Sequence, residues 1–324
     1  MQSALYLWRR CCTVCGEHSP VLNRSAGGRI NQTTYGFVLM LGAFLCFAVM
    51  DTSAKWLVVV ALLPALQVVF VRYLVHFCWV LVLYAPHHGR AIWKSSAPGM
   101  QILRGLLLFS STALNFTALK YLPLTVTIAI FFAAPMLVCL LSIPLLGERV
   151  GIKRFAAIVA GFIGVLIIVQ PWGASFDWRI VYSLGALFTA SCYFVVTRKV
   201  ASADKNAIAQ FYIAGTATLL LLPMVLRNWQ WPDSGTEFLV LTVLGSLGML
   251  GHSLVTHAHR FVQASVLAPT VYSQIIYITL LSWLVFNTVP DRATVLGTVI
   301  IILSGLFIWW RERELQADQA QDIK

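Results

Sequence analysis

Charge is scarce in this chain. Of its 324 residues only 11% are Asp, Glu, Lys or Arg, and the acids number 12 against 23 bases. A soluble domain carries about a quarter charged residues and roughly half apolar ones, whereas 59% here are hydrophobic. So much apolar surface cannot be hidden in one or two water-soluble cores, and a disordered chain has the opposite composition. A disulfide scaffold is excluded as well. Of the seven cysteines, Cys46, Cys78, Cys139 and Cys192 each stand alone in an apolar run, where cysteine acts as a small hydrophobe. The net charge of +11 makes no nucleic-acid surface, because the bases are scattered between apolar runs. Catalytic signatures are missing too: there is no H-E-x-x-H, no G-x-S-x-G and no P-loop. ATP is therefore not the direct energy source, and no cofactor is expected.

The ends are polar. Residues 1–34 hold Arg9, Arg10, Arg24 and Arg29, with neither an apolar run of signal-peptide length nor a small-residue cleavage site. They read as a poorly ordered cytoplasmic tail. Cys11, Cys12, Cys15 and His18 fall together there, but a structural zinc site wants four ligands and a fold to hold them. The thiols read as incidental, and no metal site is expected. From Arg311 to Lys324 a second, short solvated tail is expected.

What the chain has is long apolar runs. A helix needs about 20 such residues to cross ~30 Å of hydrocarbon. Runs of that kind fall at about 35–56, 63–85, 101–119, 124–146 and 152–170, then at 178–198, 207–227, 237–257, 264–286 and 293–310. They are too long, and alternate too little, for membrane strands. With both termini inside, the inner segments hold 17 Lys and Arg and the outer ones five, Arg72 alone lying within a span. That asymmetry satisfies the positive-inside rule, and an odd number of spans would destroy it.

The ten spans divide into five and five, residues 35–170 and 178–310. Ala118-Leu-Lys-Tyr-Leu-Pro123, after span three, resembles Ala258-His-Arg-Phe-Val-Gln263, after span eight. Ala156 and Gly164 in span five have counterparts in Gly297 and Gly305 in span ten. Because each half has an odd number of helices, the halves face opposite ways. Inverted repeats of this kind place a substrate site between them near the midplane.

Ten helices in two halves, with Pro135 and then Leu146-Gly147-Glu148-Arg149 closing span four, and Gly297…Ser304-Gly305 in the last span, resemble the EamA branch of the drug/metabolite transporter superfamily. The resemblance covers about residues 35–310. It implies an all-α integral membrane fold of ten helices in two inverted repeats, in a bacterial-type inner membrane, and a secondary carrier of small organic molecules. One departure stands out: Asn287-Thr288-Val289-Pro290 occupies the place of the Gly-Glu pair that usually closes span nine. Any gating role for Glu148 at the inner mouth thus lacks a symmetric counterpart.

Ionisable side chains inside hydrocarbon cost at least about 2.5–3.5 kcal/mol each and mark function. Asp51, Arg72 and His76 sit well inside spans one and two. At 1.5 Å per residue, Asp51 lies about 8 Å and Arg72 about 14 Å below the outer surface. An Asp51–Arg72 ion pair is expected on neighbouring antiparallel helices, with Lys55 competing for the carboxylate. The cluster either locks helices one and two together or meets an anionic or carbonyl group of a substrate. Thr270, Ser273, Gln274 and Tyr277 fall at i, i+3, i+4 and i+7, one helical face of span nine. Asn115, in span three, and Tyr193, in span six, join them as candidate substrate contacts. Pro135, Pro144 and Pro269 mark bends near the pathway. His252, His257 and His259 do not share a face and make no metal set.

The stretches Phe47-Ala-Val-Met-Asp51-Thr-Ser-Ala-Lys55-Trp-Leu57 and Gln67-Val-Val-Phe-Val-Arg72-Tyr73 are similar to a bacterial subgroup that includes riboflavin importers. Carriers of S-adenosylmethionine have a similar start. The resemblance thus implies uptake of riboflavin or a similar heterocyclic vitamin. Export of amino acids or other metabolites, and S-adenosylmethionine carriage, are the alternatives, and a membrane-embedded enzyme is the rival from another class. The partners implied are a small-molecule substrate and the lipid bilayer, without nucleic acid.

Overall fold

A computed structural model describes residues 32–88, 92–146, 151–170, 177–200, 204–261 and 267–322. Hydrocarbon offers no water to a peptide group, so each apolar run satisfies its own backbone as a helix; among the described residues there is no strand. The helices are α1 (Gln32–Val59), α2 (Ala65–His88), α3 (Pro98–Tyr121), α4 (Leu124–Phe131), α5 (Ala134–Leu146) and α6 (Ile152–Val169). The remainder are α7 (Ile180–Val200), α8 (Asn206–Leu226), α9 (Gly235–Phe261), α10 (Gln274–Phe286) and α11 (Arg292–Asp322). A 3₁₀ helix, Ala268–Ser273, leads into α10.

Eight helical stretches are long and apolar enough to cross a membrane, and Phe155–Val169 and Thr270–Phe286 are shorter apolar ones. These are the ten apolar segments anticipated, and the protein is a multi-pass membrane protein. Two segments are broken where the sequence places proline. α4 and α5 are one run interrupted before Pro135, whose ring denies the helix a donor and crowds the preceding turn. Pro269 lies in the 3₁₀ helix, whereas Pro144 sits inside α5 without ending it. The final helix does not stop at its apolar part but runs on to Asp322, through the stretch expected to be a solvated tail.

Contacts sort the loops into two faces. On the face holding the start of α1, Tyr35 meets Phe261 from the end of α9, ring centroids 5.1 Å apart. Asp204, before α8, joins Ser95, Ser96 and Gln101 around the start of α3 on that same face. On the opposite face Gln67 exchanges two hydrogen bonds with the backbone of Gln230, donating to its oxygen at 2.6 Å and accepting from its nitrogen at 3.0 Å. Lys55 there donates to Leu122 O at 2.9 Å and stands 5.3 Å from the Phe286 ring.

Packing does not follow chain order. The heaviest pairings are α1 with α9, α6 with α11, α3 with α7 and α2 with α8. α1, α2, α9 and α10 form one lobe, and α3, α7, α8 and the broken pair α4/α5 form another. Exchanging helices one to five with six to ten, in order of crossing, turns one lobe into the other. α2 packs on α8 where the lobes meet, and α6 pairs with α11 beside them. Without a hydrophobic drive in lipid, such pairs rely on close van der Waals approach over small residues. At the α6–α11 crossing a Cβ on Gly164 would stand 2.8 Å from Gly297 O, and one on Gly297 would stand 2.5 Å from Gly164 O. These are two of the small residues the repeat comparison selects.

Candidate substrate site

Asp51, on α1, is buried. Its carboxylate accepts from Asn115 Nδ2 at 3.4 Å and from Gln274 Nε2 at 3.5 Å, so α3 and α10 both converge on α1. Two expectations need correction. Among the described residues no direct Asp51–Arg72 ion pair is formed. The Arg72 guanidinium instead donates from Nε to Met50 Sδ at 3.1 Å and from Nη1 to Thr112 Oγ1 at 3.5 Å. Its Cζ lies 4.5 Å from the Tyr73 ring centroid, and the Tyr73 hydroxyl shares a 2.9 Å hydrogen bond with Thr112 Oγ1. Nor does Lys55 compete for Asp51. It is engaged by the Leu122 carbonyl at the end of α3, where a helix has acceptors to spare.

The space for Arg72 comes from α9. A Cβ on Gly248 would lie 3.4 Å from Arg72 Nε and 3.5 Å from Met50 Sδ, and one on Gly245 would lie 3.0 Å from Arg72 O. His76, one turn further along α2, has no exposed surface, and neither ring nitrogen makes a hydrogen bond within 3.5 Å. Its ring stacks on His252 of α9 at 6.2 Å, and the Phe47 ring also meets His252, tilted, at 5.1 Å. His252 is thus carried into the site by α9, a role the three-histidine spacing did not suggest.

Arg104 is the second residue that sequence reasoning missed. A span beginning at residue 101 leaves Arg104 in its first turn, at the membrane edge; the helix starts at Pro98, which puts Arg104 nearly two turns inside and 7% exposed. Proline in the first turn is the signal that could have found it. Arg104 Nη1 donates to Gln101 Oε1 at 3.4 Å, and its Cζ lies 5.7 Å from the ring of Tyr193, itself buried.

The polar face of span nine is divided. Thr270 and Ser273 lie in the 3₁₀ helix, and their hydroxyls donate to Leu267 O and Thr270 O, at 2.6 and 2.7 Å. Tyr277 packs against the apolar cluster of Met40 and Phe44. Of the four, Gln274 is the one that reaches Asp51. Glu148 and the tail cysteines lie outside the described residues. Among those residues no group of His, Cys, Asp or Glu is arranged to hold a metal.

At the face that holds the start of α1, Asp204 accepts four hydrogen bonds. They come from Ser95 Oγ at 2.5 Å, Ser96 N at 2.9 Å, Ser96 Oγ at 3.1 Å and Gln101 Nε2 at 2.8 Å. Partial desolvation pushes this carboxyl up, but the donors together outweigh it and hold it below the usual carboxylate range.

Comparison with known proteins agrees with this architecture. The profile of the EamA-like transporter family matches residues 34–170 and again 177–310. The S-adenosylmethionine uptake transporter of Rickettsia prowazekii is 30% identical over 235 residues, 72% of this chain and 80% of that protein. The riboflavin transporter of Vibrio cholerae is 30% identical over 274 residues, covering 84% of this chain and 92% of the relative. The pseudopaline exporter of Pseudomonas aeruginosa is 27% identical over 271 residues, 83% and 94% of the two chains. A crystal structure 20% identical in sequence superposes with a TM-score of 0.58, over 89% of this chain and 99% of the other, which speaks for the fold. With both halves matched and relatives at this identity over most of its length, the chain belongs to the EamA-like transporter family.

Proposed function

We propose that this chain is a secondary carrier that takes up a small metabolite with a flat nitrogen heterocycle by alternating access, without catalysis. The two halves, residues 35–170 and 178–310, are read as inverted repeats, and both termini as cytoplasmic, since 16 of the 23 bases then fall inside, with Arg72 and Arg104 within spans. One observation carries the reading. The polar groups that join the lobes at the centre do so through long bonds, Asn115 to Asp51 at 3.4 Å and Arg72 to Thr112 at 3.5 Å. The contact that joins the lobes at the face opposite the termini is shorter, Lys55 to Leu122 O at 2.9 Å. A buried polar seam held weakly is one a solute can enter, because its own groups replace partners of little strength.

A solute entering from the face opposite the termini displaces the Asn115 and Thr112 contacts and meets Asp51, Arg72 and Gln274. Tyr73 and Tyr193 offer aromatic faces on which a ring can stack. The Lys55 contact then holds that end shut while the other opens. Riboflavin and S-adenosylmethionine, named for two relatives, both contain flat heterocycles and are the solutes to try first. Glu148, next to Arg149, is assigned a part at the cytoplasmic mouth.

The test is flux of each labelled solute into proteoliposomes that contain the full chain. Chain-dependent entry of one of them, lost in the double variant Asp51→Ala with Arg72→Ala, is expected. Entry at the normal rate in that variant would remove the site, and no chain-dependent entry of any metabolite would remove the carrier.

A further inference from the structure

Positive charge at the centre is in excess. Arg72 and Arg104 are both buried, whereas Asp51 is the one buried carboxylate among the described residues. A guanidinium keeps its charge in a protein, and a buried ion left unpaired is costly. Compensation for Arg104 is partial. Its Nε is buried without a partner, and the carboxylate of Asp204 reaches it only through the Gln101 amide, which donates to that carboxylate at 2.8 Å and accepts from Arg104 at 3.4 Å.

The two arginines come from different lobes and different ends. Arg72 lies about 10 Å along α2 from its start on one face, and Arg104 about 9 Å along α3 from its start on the other. Between them stand two imidazoles. His76 and His252 stack at 6.2 Å, and His252 is within electrostatic reach of both Arg72 and Arg104. His76 is fully buried, and neither of its nitrogens makes a hydrogen bond within 3.5 Å, the Gln210 side chain of α8 facing the ring from beyond that distance.

Resting on the carrier reading, we propose that the transported solute bears an anionic group beside its ring, a carboxylate or a phosphate, and that Arg72 and Arg104 hold that group in turn. Arg72 receives it when the site opens to the face opposite the termini, and Arg104 takes it when the site opens to the face of the termini. His76 and His252 donate to it along the way. Either anion supplies the counter-charge and the paired oxygens a guanidinium fork fits. Binding at Arg104 also draws on the nitrogen that holds Gln101, and so loosens the amide from Asp204 as the solute arrives there.

The experiment offers the full chain, in proteoliposomes, an extract of bacterial metabolites and identifies by mass spectrometry what enters relative to empty liposomes. Every chain-dependent species is expected to carry a carboxylate or a phosphate, and the masses say which. Arg104→Gln should reduce that entry at least tenfold and Arg104→Lys less, with thermal unfolding in detergent confirming that both variants are folded. On the unmodified chain, flavin mononucleotide should compete with the entering species at least tenfold better than riboflavin, and adenosine monophosphate better than adenosine. Entry of neutral solutes alone, riboflavin among them, would overturn the proposal and leave the carrier standing. No entry of anything would bring down the carrier and this proposal with it.

Discussion

Replacing Asp204 by alanine removes the acceptor of four hydrogen bonds at once and should free the loop before α3. Two of the donors, Ser95 Oγ and Gln101 Nε2, are partly buried and two belong to exposed Ser96. A hydrogen bond to a charged group contributes about 1.5–3 kcal/mol where water is excluded, and far less where water replaces the lost partner. Counting the partly buried pair near the lower end and the exposed pair at little, the cluster is worth about 2–3 kcal/mol. At about 1.4 kcal/mol per tenfold, opening of this loop becomes roughly 30–150 times more frequent. Hydrogen exchange over residues 92–101 reads the opening directly, because a protected amide exchanges in proportion to its open population. The amide of Ser96, which donates to Asp204 Oδ1, is the sharpest reporter. Acid should act in the same direction. The carboxyl is held below the usual range, so its contribution is complete above the ordinary carboxylate value of about 3.9 and is lost as pH falls through the lowered one. Exchange unchanged within twofold in Asp204→Ala near neutral pH would refute the cluster as what holds this loop in place.

At the other end Lys55→Met frees the Leu122 carbonyl and should raise labelling of a cysteine placed at Leu122 by an impermeant maleimide several-fold; equal labelling would mean Lys55 closes nothing. Gly164→Val puts a branched side chain where a single Cβ already stands 2.8 Å from Gly297 O. The overpacking should cost about 1–3 kcal/mol and lower the thermal unfolding midpoint in detergent, and an unchanged midpoint would contradict the close crossing. Asn115→Ala with Gln274→Ala strips Asp51 of both its donors, at about 1–3 kcal/mol for a buried acceptor left unsatisfied. Transport should fall at least tenfold; normal transport would show that Asp51 stands outside the pathway.

Much of this was legible in the chain. The ten apolar segments, the breaks at Pro135 and Pro269 and the small residues of the α6–α11 crossing follow from hydrophobic length and from proline and glycine chemistry, which act locally. Asp51, Arg72, His76 and Asn115 could be picked out for a similar reason: polar groups in hydrocarbon are conspicuous whatever their partners. Partners were harder. The expected Asp51–Arg72 pair assumed that consecutive helices pack face to face, whereas α1 packs chiefly on α9. Asp51 therefore meets groups from α3 and α10, and Arg72 turns toward Met50 and the space left by Gly248. Arg104 was hidden by a boundary error of three residues at Pro98. Thr270 and Ser273 misled because a helical face was assumed where Pro269 sits in a 3₁₀ turn, and their hydroxyls serve the backbone instead.

The pairing of α1 with α9 and of α3 with α7 has a bearing on how the chain is made. Each of these pairs draws one helix from either half, so the first five segments leave the ribosome with their main packing surfaces still lacking partners. They must wait in the bilayer, loosely gathered, until α7 and α9 have been inserted. Assembly of the finished bundle is then a late event, and the halves, produced as separate polypeptides, would recover it only by finding one another in the same membrane.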